Sequence, residues 1–135
     1  MEVVINRCFG GFGLSEEGMK LYVEKTGKKL YSYTSASPDY ASKLYKRATG
    51  DEFMIFHFTE DKGDEFKWDN KEPDYIYDGD IERDDSNLIE VVKELGKKAN
   101  GSCANLEVVE IPDGVDWTIE EYDGNEHIAE AHRTW

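Results

Sequence analysis

The chain has 135 residues, 39% hydrophobic and 13% aromatic, with 30 acids against 16 bases and a net charge of −14. That length suits one globular domain with a modest core, and the composition is too apolar for a disordered chain. The charge disfavours direct binding to DNA, RNA or an anionic membrane, and no run reaches the roughly 18 apolar residues of a membrane span.

Met1-Glu2-Val3 offers no basic start for a secretory signal, so a cytoplasmic setting with Cys8 and Cys103 reduced is expected. Val3-Val4-Ile5 predicts a short buried strand. Gly10-Gly11-Phe12-Gly13 follows, and then Ser15, a good helix N-cap, with Glu16 and Glu17 in the first turn where the helix dipole favours acids. Met19, Tyr22 and Val23 form one apolar face, and Gly27 stops the helix. "KLYSYT" (29–34) alternates like a strand. The start therefore predicts a βαβ-like unit with a right-handed crossover.

"EFMIFHF" (52–58) predicts a central strand. Residues 59–85 scatter aromatics among acids and predict an exposed, variable excursion. Leu88, Ile89, Val92, Leu95 and Ala99 repeat at helical spacing, with Asp85 or Ser86 as the cap and Asn100-Gly101 as the stop. "NLEVVEIP" and "VDWTIEEY" predict strands. The end predicts a turn at Asp123-Gly124 and then a short helix. The expected fold is a single α/β domain over 1–135, a mixed sheet flanked by at least two helices.

Charge is unevenly spread. Residues 1–50 are net +3, residues 51–85 are net −10, and residues 105–135 hold nine acids and only Arg133. Such acidic stretches serve solubility, mimic nucleic acid or meet a basic protein partner.

The glycine loop admits two readings. A Gly-rich turn into a helix N-terminus can aim backbone N–H groups at a phosphate. "GGFG" is not the dinucleotide fingerprint, since Glu16 stands where the third glycine belongs, and no Walker lysine is present. The plainer reading is a turn needing positive φ at Gly11 or Gly13, with Phe9 and Phe12 packed in the core. Arg7, Arg83 and Arg133 sit at element boundaries beside polar residues. Their forks suit anion recognition or structural ion pairs. His127 and His132 lack the i,i+4 spacing of a metalloprotease pair, and no metal or cofactor is expected. Glu130 with His132 could serve as an acid/base pair, but no nucleophile motif accompanies them.

Four stretches carry a resemblance: "VVINRCFGGFGLS", "DIERDDSNLIEVVKELGKKANG", "VEIPDG" and "EYDGNEHIAEAHRTW". They resemble a group of small proteins encoded by bacteriophages and prophages, over the first third of the chain and residues 80–135. The stretch 35–79 shares none of it. No established chemistry comes with the resemblance. It implies an accessory protein acting in the cytoplasm of a bacterial host, a class that often counters host defence.

Three functions are expected to compete. The first is binding, without turnover, of a small anionic, nucleotide-like ligand by Arg7, Gly10, Gly11, Phe12, Gly13, Arg83, His132, Arg133 and Trp135. The second is an acidic inhibitor or nucleic-acid mimic directed at a host protein. The third is a small hydrolase using Glu130 and His132. The oligomeric state is not readable from the sequence.

Overall fold

The computed structural model describes residues 1–37, 43–52, 54–69 and 71–130. The α/β class and the strand–helix–strand start expected from the sequence are observed. The elements are β1 (Glu2–Asn6), α1 (Glu16–Lys25), β2 (Tyr31–Ser35), β3 (Leu44–Arg47), β4 (Phe56–Phe58), β5 (Glu65–Lys67), β6 (Tyr75–Ile76), α2 (Ser86–Leu95), β7 (Leu106–Glu110), β8 (Trp117–Tyr122) and β9 (Asn125–Glu130). They form two compact units. One combines Met1–Tyr22 with the segment from Ile81 onward, and the other is the insertion Val23–Asp80.

In the outer unit β1 pairs antiparallel with β7, from Glu2 opposite Glu110 to Asn6 opposite Leu106. Val3, Val4 and Ile5 are fully buried, as expected of a β-branched strand with both faces covered. α2 packs on β1 and β7 through Leu88, Val91 and Val92. Asp85 caps it by accepting from the N–H groups of Asn87 and Leu88. The expected run to residue 99 is cut at Gly96, which takes φ 57° and turns the chain into a 3₁₀ segment, Gly96–Ala99. Leu95, next to this break, is only half-buried, and so is Ile89, since Val91 takes the inward position beside Leu88 and Val92. α1 starts as expected, with Ser15 Oγ accepting from the Gly18 N–H at 3.0 Å.

α1 does not make a crossover between neighbouring strands. β1 joins β7, whereas β2 lies between β3 and β4, and every pairing is antiparallel. The segment after the Asp123-Gly124 turn also differs from expectation: among the described residues no helix follows it, and Asn125–Glu130 is a strand. Asp123 (φ 48°) and Gly124 (φ 87°) both take positive φ, the requirement of a tight two-residue hairpin. β9 then returns along β8, with Tyr122 opposite Asn125.

The inserted unit is a five-stranded sheet in the order β5-β3-β2-β4-β6. Residues at period 2 put Tyr31, Tyr33, Tyr45, Phe56, Phe58, Phe66 and Tyr75 on one face, because Tyr33 opposes Phe56, Tyr31 opposes Phe58 and Tyr45 opposes Phe66. The sheet curls around this face. Trp68, just beyond edge strand β5, comes within 4.9 Å of Tyr75 on the opposite edge strand β6, centroid to centroid. The ring pairs are mostly edge-to-face, each adding roughly 0.5–1.5 kcal/mol beyond area burial. The acidic stretch 59–85 therefore contributes two strands to a core. Several of its acids are also engaged: Arg47 donates to Asp61 and Asp64, and Lys62 to Glu72 and Asp74.

Candidate functional site

β1 ends on a polar residue, Asn6, that is fully buried. Its amide nitrogen donates to the carbonyls of Cys8 and Gly124 at 2.8 and 2.7 Å. Its amide oxygen accepts from the N–H groups of Asn105 and Cys8. Both donors and both acceptor positions of the amide are thus used, and three chain segments are held at one point. The Asn6 N–H donates to Glu126 Oε1 at 2.8 Å.

Glu126 lies on β9 and is only 4% exposed. Arg83 meets it with both prongs of its fork, Nη1 to Oε1 at 2.5 Å and Nη2 to Oε2 at 2.8 Å. The guanidinium carbon sits 3.8 Å over the ring of Phe12. Arg83 therefore lies over Phe12 of the glycine loop, but its charge is already met by a buried bidentate carboxylate. Neither Asn6 nor Glu126 stood out in the sequence. A glutamate at an inward strand position reads as a break in apolar alternation, and only its partner explains it.

The glycines serve close packing. Gly10 and Gly11 take φ of 115° and 107°. Gly10 N–H donates to the Asp123 carbonyl at 2.8 Å, and Gly101 N–H to that of Gly13 at 2.8 Å. A Cβ at Gly124 would lie 2.2 Å from the Gly11 nitrogen, and one at Gly10 would lie 2.6 Å from Cys103 Cβ. The loop is thus pressed against the β8–β9 turn and the 101–103 loop, which is why side chains are missing there. Phe12 is half-buried under Arg83, whereas Phe9, expected in the core, is 60% exposed and meets Tyr122 edge-on.

Arg7 is exposed, and its Nε donates to Glu107 at 3.1 Å. His132, Arg133 and Trp135 lie outside the described residues. Glu130 is exposed at the end of β9, and His127 pairs with Glu120 at 3.0 Å on the open face of the hairpin. Among the described residues no cluster of three or more His, Cys, Asp or Glu has the geometry to hold a metal. No helix among them is long and apolar enough to cross a membrane.

No family model, curated protein or solved structure matches the chain.

Proposed function

We propose that this protein is an acidic binding module that works without turnover and engages a basic protein partner. The observation that carries this reading is the surface of the β8–β9 hairpin. From Asn105 to Glu130 the chain has nine acids and no lysine or arginine, and Asp116, Glu120, Glu121, Asp123 and Glu130 face solvent. Like charges so gathered raise the local field and steer a cationic partner. A host protein in the bacterial cytoplasm is the partner class that the likeness to phage-encoded proteins favours.

The anionic-ligand reading draws on Arg83 lying over Phe12 beside the glycine loop. An incoming phosphate would have to displace Glu126 from that fork and leave a buried carboxylate unpaired, at a cost of several kcal/mol.

The test is capture from a bacterial lysate on immobilised protein at rising salt, comparing the wild type with Asp116→Asn/Glu121→Gln/Asp123→Asn. The expected result is a basic protein held by the wild type at low salt, released as salt rises, and lost from the variant. Retention of the same protein by both at the same salt overturns the reading. So does a nucleotide-like anion that co-purifies, leaves on heating and is identified by mass spectrometry.

A further inference from the structure

An apolar groove lies on the outer unit, where β9 passes beside the segment joining β7 to β8. Ile111, Pro112, Val115, Trp117, Ile128 and Glu130 line it, and its volume is about 270 Å³. Small-molecule sites usually span roughly 300–1,000 Å³, so this space suits one inserted side chain. Among the described residues Glu130 is the one carboxylate on the lining. It stands opposite Trp117 as its Cα partner across the β8–β9 ladder. Residues so opposed share a face, with Cβ atoms roughly 4.5–5.5 Å apart, which sets the carboxylate beside the indole side chain. Among the described residues Glu130 is in no ion pair, and no ring or cation packs on Trp117.

The same strand shows what such a pairing can hold. Glu126 lies four residues before Glu130, so period 2 puts both on one face of β9. Glu126 accepts from both prongs of Arg83, whose guanidinium carbon sits 3.8 Å over the Phe12 ring. A carboxylate beside an aromatic ring is thus a seat for arginine in this fold. Trp117 and Glu130 repeat the two elements, and indole is the best of the aromatic rings for a cation. The apolar walls at Ile111, Val115 and Ile128 match the methylene stem of a long basic side chain, which packs on apolar surface while its charged head reaches out. Lysine has the stem, but its ammonium is a point charge that cannot lie flat on a ring and meet a carboxylate with two parallel donors.

We propose that this groove receives an arginine side chain of the basic protein partner. The stem lies along the apolar walls, the guanidinium stacks on Trp117, and its fork meets Glu130. This rests on the acidic-module reading and adds to it the place of contact and the residue recognised.

Two short fluorescein-labelled peptides of equal charge test it by anisotropy at low salt. The first carries one arginine between glycines, flanked by lysines, and the second has lysine in its place. The wild type is expected to bind the arginine peptide about fivefold more tightly, the effect of one ring contact to a cation. Glu130→Gln, a change at an exposed position, should bring the two affinities together, and so should Trp117→Leu, which keeps the groove apolar and removes the ring. Equal binding of the two peptides by the wild type overturns the arginine seat and leaves the acidic-module reading standing, whereas binding of neither overturns both. A preference that survives in Glu130→Gln or in Trp117→Leu overturns the seat. A preference that appears only in Arg133→Ala overturns the partner as occupant, because the chain's own arginine then competes for the place.

Discussion

Arg83 and Glu126 illustrate how one buried pair can decide the local structure. With Asn6 they tie β1, β9, the glycine loop and the approach to α2. Removing one partner strands the other charge, so Glu126→Ala should cost about 3–5 kcal/mol. Replacing both by apolar residues, Arg83→Met with Glu126→Leu, should recover most of that loss. Urea melts of the two singles and the double give the coupling, and strict additivity would show that the pair is not the unit described. Tyr22 supplies a pH dependence. Burial, and then its hydrogen bond to Asp85, push its phenol up to about 12. The unfolded chain loses that proton near pH 10, so the folded state binds more protons between these values. The contribution of Tyr22 is therefore full below about pH 10 and is lost as the pH rises toward 12. Melts across this range should fall less steeply for Tyr22→Phe than for the wild type. Part of the slope will remain, because burial also raises Tyr33 and Tyr75.

Among the elements, α2 gives the sharpest contrast. Leu88 is fully buried against the outer sheet, whereas Leu95 is half-buried next to the Gly96 break. Leu88→Ala should cost about 2–5 kcal/mol and Leu95→Ala clearly less. Equal costs in denaturant melts would mean that the helix runs past Gly96 in solution. At the β8–β9 turn, Gly124→Ala should destabilise by more than about 1 kcal/mol. Its Cβ would meet the Gly11 backbone at a positive φ, and thermal melting reads the loss directly. These elements differ in how far they could be read from the sequence. β1, α1, α2, β7 and β8 carry an apolar run, an apolar period or a helix cap, and each was legible. β9 was not, because Glu126 fills an inward position that an apolar residue would otherwise mark. In the inserted sheet β2 was legible from the alternation of "KLYSYT", whereas β3, β5 and β6, of four, three and two residues, are too short for a period to emerge. "EFMIFHF" was legible as a strand, yet only Phe56–Phe58 joins the ladder. The glycine loop could be placed, but its backbone contacts with 101–103 and 123–124 join segments about a hundred residues apart, a distance no local pattern bridges. The arginines were visible as boundary residues, and their carboxylate partners were not.

Across the whole molecule the net charge of −14 works against compactness through self-repulsion. Arg7, Arg47, Arg83 and Lys62 offset part of it with named partners. Of the hairpin acids, Glu126 meets Arg83 and Glu120 meets His127, while the exposed Asp116, Glu121 and Asp123 are left to repel one another. Screening acts over roughly 10 Å at 0.1 M salt, so raising sodium chloride from low ionic strength to about that level should raise the melting temperature. A fall on adding salt, seen by scanning calorimetry, would mean that the ion pairs outweigh the repulsion.

The insertion of one unit into the other also sets an order of manufacture. Every strand of the five-stranded sheet has left the ribosome once Ile76 has emerged, whereas β1 finds its partner only when β7, ending at Glu110, is made. At about 5–20 residues per second, Val3-Val4-Ile5 waits roughly 5–20 s as an unpaired apolar strand on the nascent chain. β1 is thus made before every other strand described and paired after the whole inserted sheet is available, and among these strands it is the one most in need of shelter while translation is under way.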